Sequence, residues 1–399
     1  MVLRIYWPGY SPDSREIYLS DNEITEINWE GAPIGLKEIN LNQNQITEMN
    51  WEGVPIGLEK IDLVENQIAE MNWYKTPSSL ECIDLSCNQI AEMNWEGAPS
   101  GLKVINLRSN QITEMNWEGA PSSLKEIRLE QSQITEMNWE GSPSSLKEIS
   151  LWRIRITEMN WEGAPIGLQW ISLSYNQITE MNWHRCDASP SSLQGIILTC
   201  NQITEMNWKG APNSLKEISL YGNRIAEMNW KGAPNGLLEI DLSNNEIAEM
   251  IWEGAPIGLQ WISLDGNQIT EMNWEGVPED VEIFPRKLND LKNKFMKHIK
   301  FMKYIKFMEY IQFMEYKAKL PKPITHRIKH LSLVSTKNIR YKMVKKTLRK
   351  IVPRNNGEGI GISPGTLNTK KTKKYKKKIQ KLKNTKKNTK TKKYKKKHM

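Results

Sequence analysis

Leucines stand at positions 36, 58, 80, 102, 124, 146 and 168, always 22 apart. They continue at 193, 215, 237 and 259 after three extra residues near His184–Ser189. Around each leucine the same apolar and polar positions return. One unit reads Leu36-x-x-Ile39-x-Leu41-x-x-Asn44-x-Ile46-x-x-Met49-x-Trp51-x-Gly53-x-Pro55. The alternation of Ile39 and Leu41 predicts a short strand with both side chains on one face. Asn44 falls where the chain leaves that strand, and its amide has donors and acceptors for its own and neighbouring turns. Ile46, Met49 and Trp51 bring the chain back onto the core, and the Gly-x-Pro pair turns it into the next strand. A degenerate first unit from Ser14 keeps Ile17, Leu19, Asn22, Ile24 and Trp29, so twelve units each close on a tryptophan, from Trp29 to Trp274. One unit of this length cannot bury its apolar face alone, so neighbouring units must stack. The predicted core is the leucine, isoleucine, methionine and tryptophan columns, and twelve equivalent tryptophans read as architecture rather than as a ligand platform.

The pattern L-x-x-I-x-L-x-x-N-x-I resembles a leucine-rich repeat over roughly residues 14–283, closest to the compact bacterial-type subclass, with Met-Asn-Trp in place of the usual Leu-Pro step. That resemblance implies an α/β-type repeat solenoid, a curved parallel-β horseshoe whose strands line a concave face. It also implies a role in binding other macromolecules. With strands about 4.8 Å apart, twelve units would span roughly 55–60 Å. The expected divisions are an N-terminal cap (1–13), the solenoid with its C-terminal cap (14–288), a hexad-repeat helical segment (289–320) and a basic, largely disordered tail (321–399).

Copies of the unit within one chain can be compared with one another. The Glu of Ile-x-Glu-Met is present in all twelve, from Glu26 to Glu271. Divergence concentrates at strand positions that should point out of the concave face. The place of Glu38 is taken elsewhere by Lys60, Cys82, Val104, Trp170, Gly195 and Trp261, and that of Asn42 by Val64, Arg108, Glu130, Trp152, Tyr221 and Asp265. A diversified binding face explains this, and so does drift at unconstrained positions. Units five to eight gather Arg108, Arg128, Trp152, Arg153, Trp170 and Tyr175, residue types that dominate interface hot spots. Ser132 and Ile154 break the asparagine column in the same region. A local rule broken where such residues gather points to a partner-binding patch.

Charge divides the chain. Residues 1–288 hold 19 lysines and arginines against 42 acidic residues, whereas residues 289–399 hold 36 against 4. Four units beginning at Phe295, Phe301, Phe307 and Phe313 repeat every six residues and predict a helix whose apolar groups spread around its axis. Beyond them, residues 370–397 carry 17 lysines and no acid, a composition that cannot form a core. Lys373, Lys374, Lys376, Lys377, Lys378, Lys395, Lys396 and Lys397 are candidates for salt-sensitive nucleic-acid binding. Nuclear targeting, attraction to anionic lipid, packing onto the acidic body and A/T-rich codon bias account for the tail as well.

Catalytic chemistry finds little support. Only His184 of the five histidines lies in the solenoid, beside Cys186 in an inserted turn, and no Cys/His spacing suits structural zinc. Gly357-Glu358-Gly359-Ile360-Gly361 lacks the strand–helix context of a phosphate loop. Bacterial-type leucine-rich repeat proteins can carry a C-terminal cysteine-dependent ubiquitin-ligase domain, but no cysteine follows Cys200. Four cysteines make no disulfide framework, and neither a secretory signal nor a run of about 18 apolar residues is present. The expectation is an intracellular, non-enzymatic protein with no metal or cofactor. It binds another protein on its concave face, or else nucleic acid through its tail with the solenoid as spacer.

Overall fold

The structure, a computed structural model, describes residues 7–183 and 190–318. The chain divides into two compact units, residues 1–306 and 307–399, and of the second only the helical residues to Ala318 are described. The first unit is a solenoid. Its sheet has thirteen strands of three residues each, from Glu16–Tyr18 to Glu282–Phe284, hydrogen-bonded in chain order and parallel throughout. Equivalent positions of successive units pair without slippage, as in Ile39↔Ile61 and Ile149↔Ile171. The three-residue insertion leaves this register intact, because Ile196 still pairs with both Ile171 and Ile218. The central isoleucine of each strand points inward and the residues on either side point out, which follows from the two-residue period. On the return path two further short parallel pairs, Glu180–Met181 with Glu205–Met206 and Glu249–Met250 with Glu271–Met272, hold the methionines inward.

Behind the sheet the tryptophans form a continuous column. Trp51, Trp117 and Trp208 are each 1% exposed. Neighbouring indoles stack with centroids 5.4 Å apart at Trp161–Trp183 and 6.4 Å apart at Trp73–Trp95. Most of the indole N–H groups donate to a carbonyl of the next unit, Trp29 to Asn50 at 2.7 Å and Trp117 to Asn138 at 2.8 Å. A buried indole needs such a partner, and here it also ties each unit to the next. The Asn of Met-Asn-Trp makes the turn that follows. Asn50 Oδ1 accepts the N–H of Glu52, and Gly53 then takes φ 80°, where a Cβ would lie 3.7 Å from that of Trp29.

The asparagine column does the corresponding work at the strand exit. Asn66 Nδ2 donates to Leu63 O and to Leu41 O of the preceding unit, both at 3.0 Å, while its Oδ1 accepts Ile46 N at 3.1 Å. Each amide thus satisfies buried backbone groups in two units at once.

The solenoid is closed at both ends by aromatic residues from outside the repeat. Trp7, in the short 3₁₀ turn Trp7–Gly9, stacks 5.7 Å from Trp29 and donates its indole N–H to Asn28 O. At the other end a helix, α1, spans Arg286–Ala318. It starts three residues before the expected boundary of the hexad segment. Phe295 stacks on Trp274 at 6.3 Å, and Leu288 and Met296 pack on the same end of the core. Lys292 of this helix is buried and donates to Val281 O, and burial pushes its ammonium below the ordinary lysine value. Among the described residues no helix is long and apolar enough to cross a membrane.

Candidate functional site

The outward positions of the sheet and its exit turns form three columns: one at the first strand residue, one at the third and one just past the strand. Six residues singled out in the sequence lie on these columns or at the turn beside them, and the structure sorts them into two groups.

The first group lies at the rim where the chain leaves the strands. Arg108 and Trp152 occupy the column of Asn42, while Arg153 and Tyr175 occupy the next position. The guanidinium carbons of Arg108 and Arg153 stand 5.9 and 5.8 Å from the centroid of the Trp152 ring. Tyr175 meets the same ring edge-on at 5.6 Å and is half exposed. Arg108 Nε also donates to Gln131 Oε1 at 3.1 Å, which fixes the guanidinium. A hydrogen bond with Cys200, and then the charge of that group, raise the Tyr175 phenol above its ordinary value. Each cation–π contact at an exposed site contributes roughly 0.5–1 kcal/mol, so the cluster is pre-ordered without being buried.

The position of Arg153 and Tyr175 has a backbone peculiarity. In every described full unit this residue is left-handed, with φ 55° at Arg153, 57° at Tyr175 and 56° at Gln43, yet only Gly222 and Gly266 are glycines there. The conformation costs an L-residue about 1–2 kcal/mol. It is held because the N–H continues the inter-unit ladder, as in Tyr175 N to Thr199 O at 2.8 Å. The sequence carried only a faint signal of it, two glycines in one column.

The second group lies on the strands. Arg128 and Trp170 line an open groove of about 380 Å³ with Glu126, Glu148, Ser150 and Ile197. Arg128 is engaged by Glu126 Oε1 at 2.7 Å. Beside this groove lies a second of about 230 Å³, bounded by Trp170 at one end and Trp261 at the other. Gly195 explains how Trp170 is seated. A Cβ built on Gly195 would come 2.0 Å from Cζ3 of that indole, so the ring lies across the neighbouring strand where only glycine leaves room. Gly195 and Trp261 entered the sequence reading merely as diverged positions. The available signal was a glycine at the first strand position, in the unit directly after the one that places a tryptophan there.

The break in the asparagine column falls one position past the rim group, in the units that carry Arg128 and Trp152. Ile154 is buried in the asparagine position, and Ser132 Oγ is buried without a hydrogen-bond partner. Leu129 O therefore receives no asparagine amide, and Leu107 O receives one, from Asn110 Nδ2 at 2.9 Å, where the regular column supplies two. Among the described residues no group of three or more His, Cys, Asp or Glu is placed to hold a metal ion. His184 and Cys186 lie outside the described residues, as do Gly357–Gly361 and the eight tail lysines from Lys373 to Lys397.

No protein-family model matches the sequence, and no curated protein matches it either. Solved structures do. The leucine-rich repeat domain of APL1 aligns with a TM-score of 0.52 at 17% identity, covering 66% of this chain and 72% of that one. The octameric complex of latrophilin 3, Unc5D and the leucine-rich repeats of FLRT2 aligns with a TM-score of 0.53 at 18% identity, covering 60% and 78%. The fold is a leucine-rich repeat solenoid. YopM from Yersinia enterocolitica aligns at 19% identity with a TM-score of 0.46, covering 68% of this chain, and the chain spans only 64% of YopM. In this repeat solenoid the sheet is the concave side, so both residue groups lie on it or at its rim.

Proposed function

We propose that the solenoid is a non-enzymatic protein-interaction module whose concave face holds the partner. The observation that carries this reading is the Trp152 cluster. Two arginines and a tyrosine are ordered around one half-buried indole at the solvent surface, with no core to explain them. Aromatic and arginine side chains of this kind, rigid before binding, lose little entropy on contact. A recognition surface also accounts for divergence concentrated at outward positions while the tryptophan column stays uniform. FLRT2 lies in an octameric complex with latrophilin 3 and Unc5D, and a similar use of the fold fits here. The intracellular compartment and the absence of enzymatic activity belong to this proposal.

The test is affinity capture with the full chain and with the Trp152→Ala/Trp170→Ala variant, at about 50 and about 200 mM salt. Capture of a protein at both salts, lost in the variant while circular dichroism stays unchanged, is the expected result. Undiminished capture by the variant, or retention of nucleic acid alone that is released at the higher salt, overturns it.

A further inference from the structure

The geometry points to a specific chemistry for the partner: a segment bearing lysine or arginine, seated in the trough between Trp170 and Trp261. This rests on the concave face being the recognition surface, and it adds which part of that face selects and what it selects.

The first outward column, followed strand by strand through pairings in register, reads Glu126, Glu148, Trp170, Gly195, Glu217, Glu239, Trp261, Glu282. Two carboxylates precede each tryptophan. Four strand spacings separate the two indoles, roughly 19 Å at about 4.8 Å each, a distance that about six extended residues cover. The third strand position beside the trough holds Ile197, Ser219 and Asp241, so its wall is lowest at Ser219. Gly195 lays the Trp170 ring over the adjacent strand, which narrows one end. Ile197, 38% exposed, adds an apolar shoulder for the methylene stem of a long side chain.

Charge decides the sign of the occupant. Glu217, Glu239 and Asp241 line the trough, and no cationic side chain does. Among the described residues Glu148, Glu217 and Glu239 form no ion pair. The one arginine nearby, Arg128, is already neutralised by Glu126. An aromatic face with carboxylates at its side attracts a cation by its quadrupole and by direct charge. Residues 1–288, with 42 acidic against 19 basic residues, add a long-range field of the same sign that favours approach of a cationic partner.

The probe is a fluorescein-labelled octapeptide alternating lysine with serine, followed by anisotropy with the full chain at about 150 mM salt. Its fully lysine-acetylated form is the neutral counterpart. Three variants discriminate: Trp170→Ala; Glu148→Gln/Glu217→Gln/Glu239→Gln; and Glu48→Gln/Glu70→Gln/Glu92→Gln, which removes equal charge from the return path. Expected are at least tenfold weaker binding for the first two variants and for the acetylated peptide, and a change under twofold for the third. Equal losses in both triple variants would mean diffuse attraction to an acidic body and overturn the assignment, as would undetectable binding of the lysine peptide to the unaltered chain. If affinity capture is lost in the Trp152→Ala/Trp170→Ala variant but unaffected by the groove triple, the cationic assignment fails while the concave face stands. Capture insensitive to both removes the underlying reading as well.

Discussion

The two halves of the concave face are built on the same backbone and differ in how their outward residues are spent. In the first half these residues satisfy one another across strands. Lys60 meets Glu38 at 3.5 Å, Asn106 Nδ2 donates to Asp84 at 2.8 Å, and just before the strands Lys37 and Lys103 pair with Glu59 and Glu81 at 2.7 and 2.5 Å. In the second half the contacts are hydroxyl pairs, Thr199 with Ser219 at 3.0 Å and Ser243 with Ser263 at 2.6 Å, and Trp261 tilted against Phe284 at 6.1 Å, while among the described residues the carboxylates of Glu217 and Glu239 form no ion pair. Exposed ion pairs contribute little to stability, so the difference does not lie in strength of folding. A face whose groups already bond one another has little left to offer a partner, whereas the half holding Trp170, Glu217, Glu239 and Trp261 keeps its bonding capacity free.

That contrast belongs to the surface alone if one core underlies both halves, and the tryptophan column tests this with the largest effect. Trp117 is buried, stacks 6.5 Å from Trp139 and donates to Asn138 O. Trp117→Ala should cost about 3–5 kcal/mol in urea unfolding. Two separate transitions in the unaltered protein, with only one of them shifted by the substitution, would show that the halves fold independently.

Next comes the seat of Trp170. Gly195→Val drives a methyl-bearing carbon into the indole, so over-packing should destabilise by about 1–3 kcal/mol, with a changed near-ultraviolet dichroism as the ring is displaced. Cys82→Val places the same side chain in the same column of the first half, where Val104 already follows it. It should move the midpoint by less than about 0.5 kcal/mol. Equal effects at the two sites would erase the distinction between the halves.

The broken asparagine column marks the border between them. Ser132→Asn restores a side-chain amide opposite Leu107 O and Leu129 O, as Asn110 does for Leu85 O and Leu107 O. A gain of about 1 kcal/mol is expected, measurable as a higher urea midpoint. An unchanged midpoint would mean that the Ile154 side of the gap, not Ser132, sets the local cost.

The smallest effect concerns pH in the first half. Burial, and then the neighbouring Asp84, raise the Asp62 carboxyl above its ordinary value, and one of its oxygens is buried without a partner. A carboxyl raised on folding binds its proton more readily in the folded chain. Its ionised form therefore opposes folding at neutral pH, and the cost is relieved as pH falls through the folded value. Asp62→Asn should raise the thermal midpoint slightly at pH 7 and leave no difference near pH 3. A lower midpoint at pH 7 would show that the charge is used by the fold.

Most of the fold was legible because it is written twelve times. The 22-residue period, the alternation at Ile39 and Leu41, the asparagine at the strand exit and the closing tryptophan each follow from local physical requirements. Stacking is then the only way to bury the apolar positions. The residues that carry the candidate site could be named, because outward positions are known once the strand is known. How they group could not. Trp152 and Trp170 both look like concave aromatics in the sequence, yet one stands at the rim under two arginines and the other lies across a strand against Gly195. Ring orientation depends on what the adjacent unit leaves open, a contact across 22 or 25 residues of chain that no local pattern records. The left-handed position at Arg153 and Tyr175 escaped for a similar reason. Its backbone is imposed by the inter-unit ladder against the preference of the side chain. Thus the repeat by itself determined strand, turn, core and stacking order, through periodicity and burial. Only the packing of one unit on the next decided which side chains meet, which carboxylates stay unpaired and where a trough opens between two tryptophans.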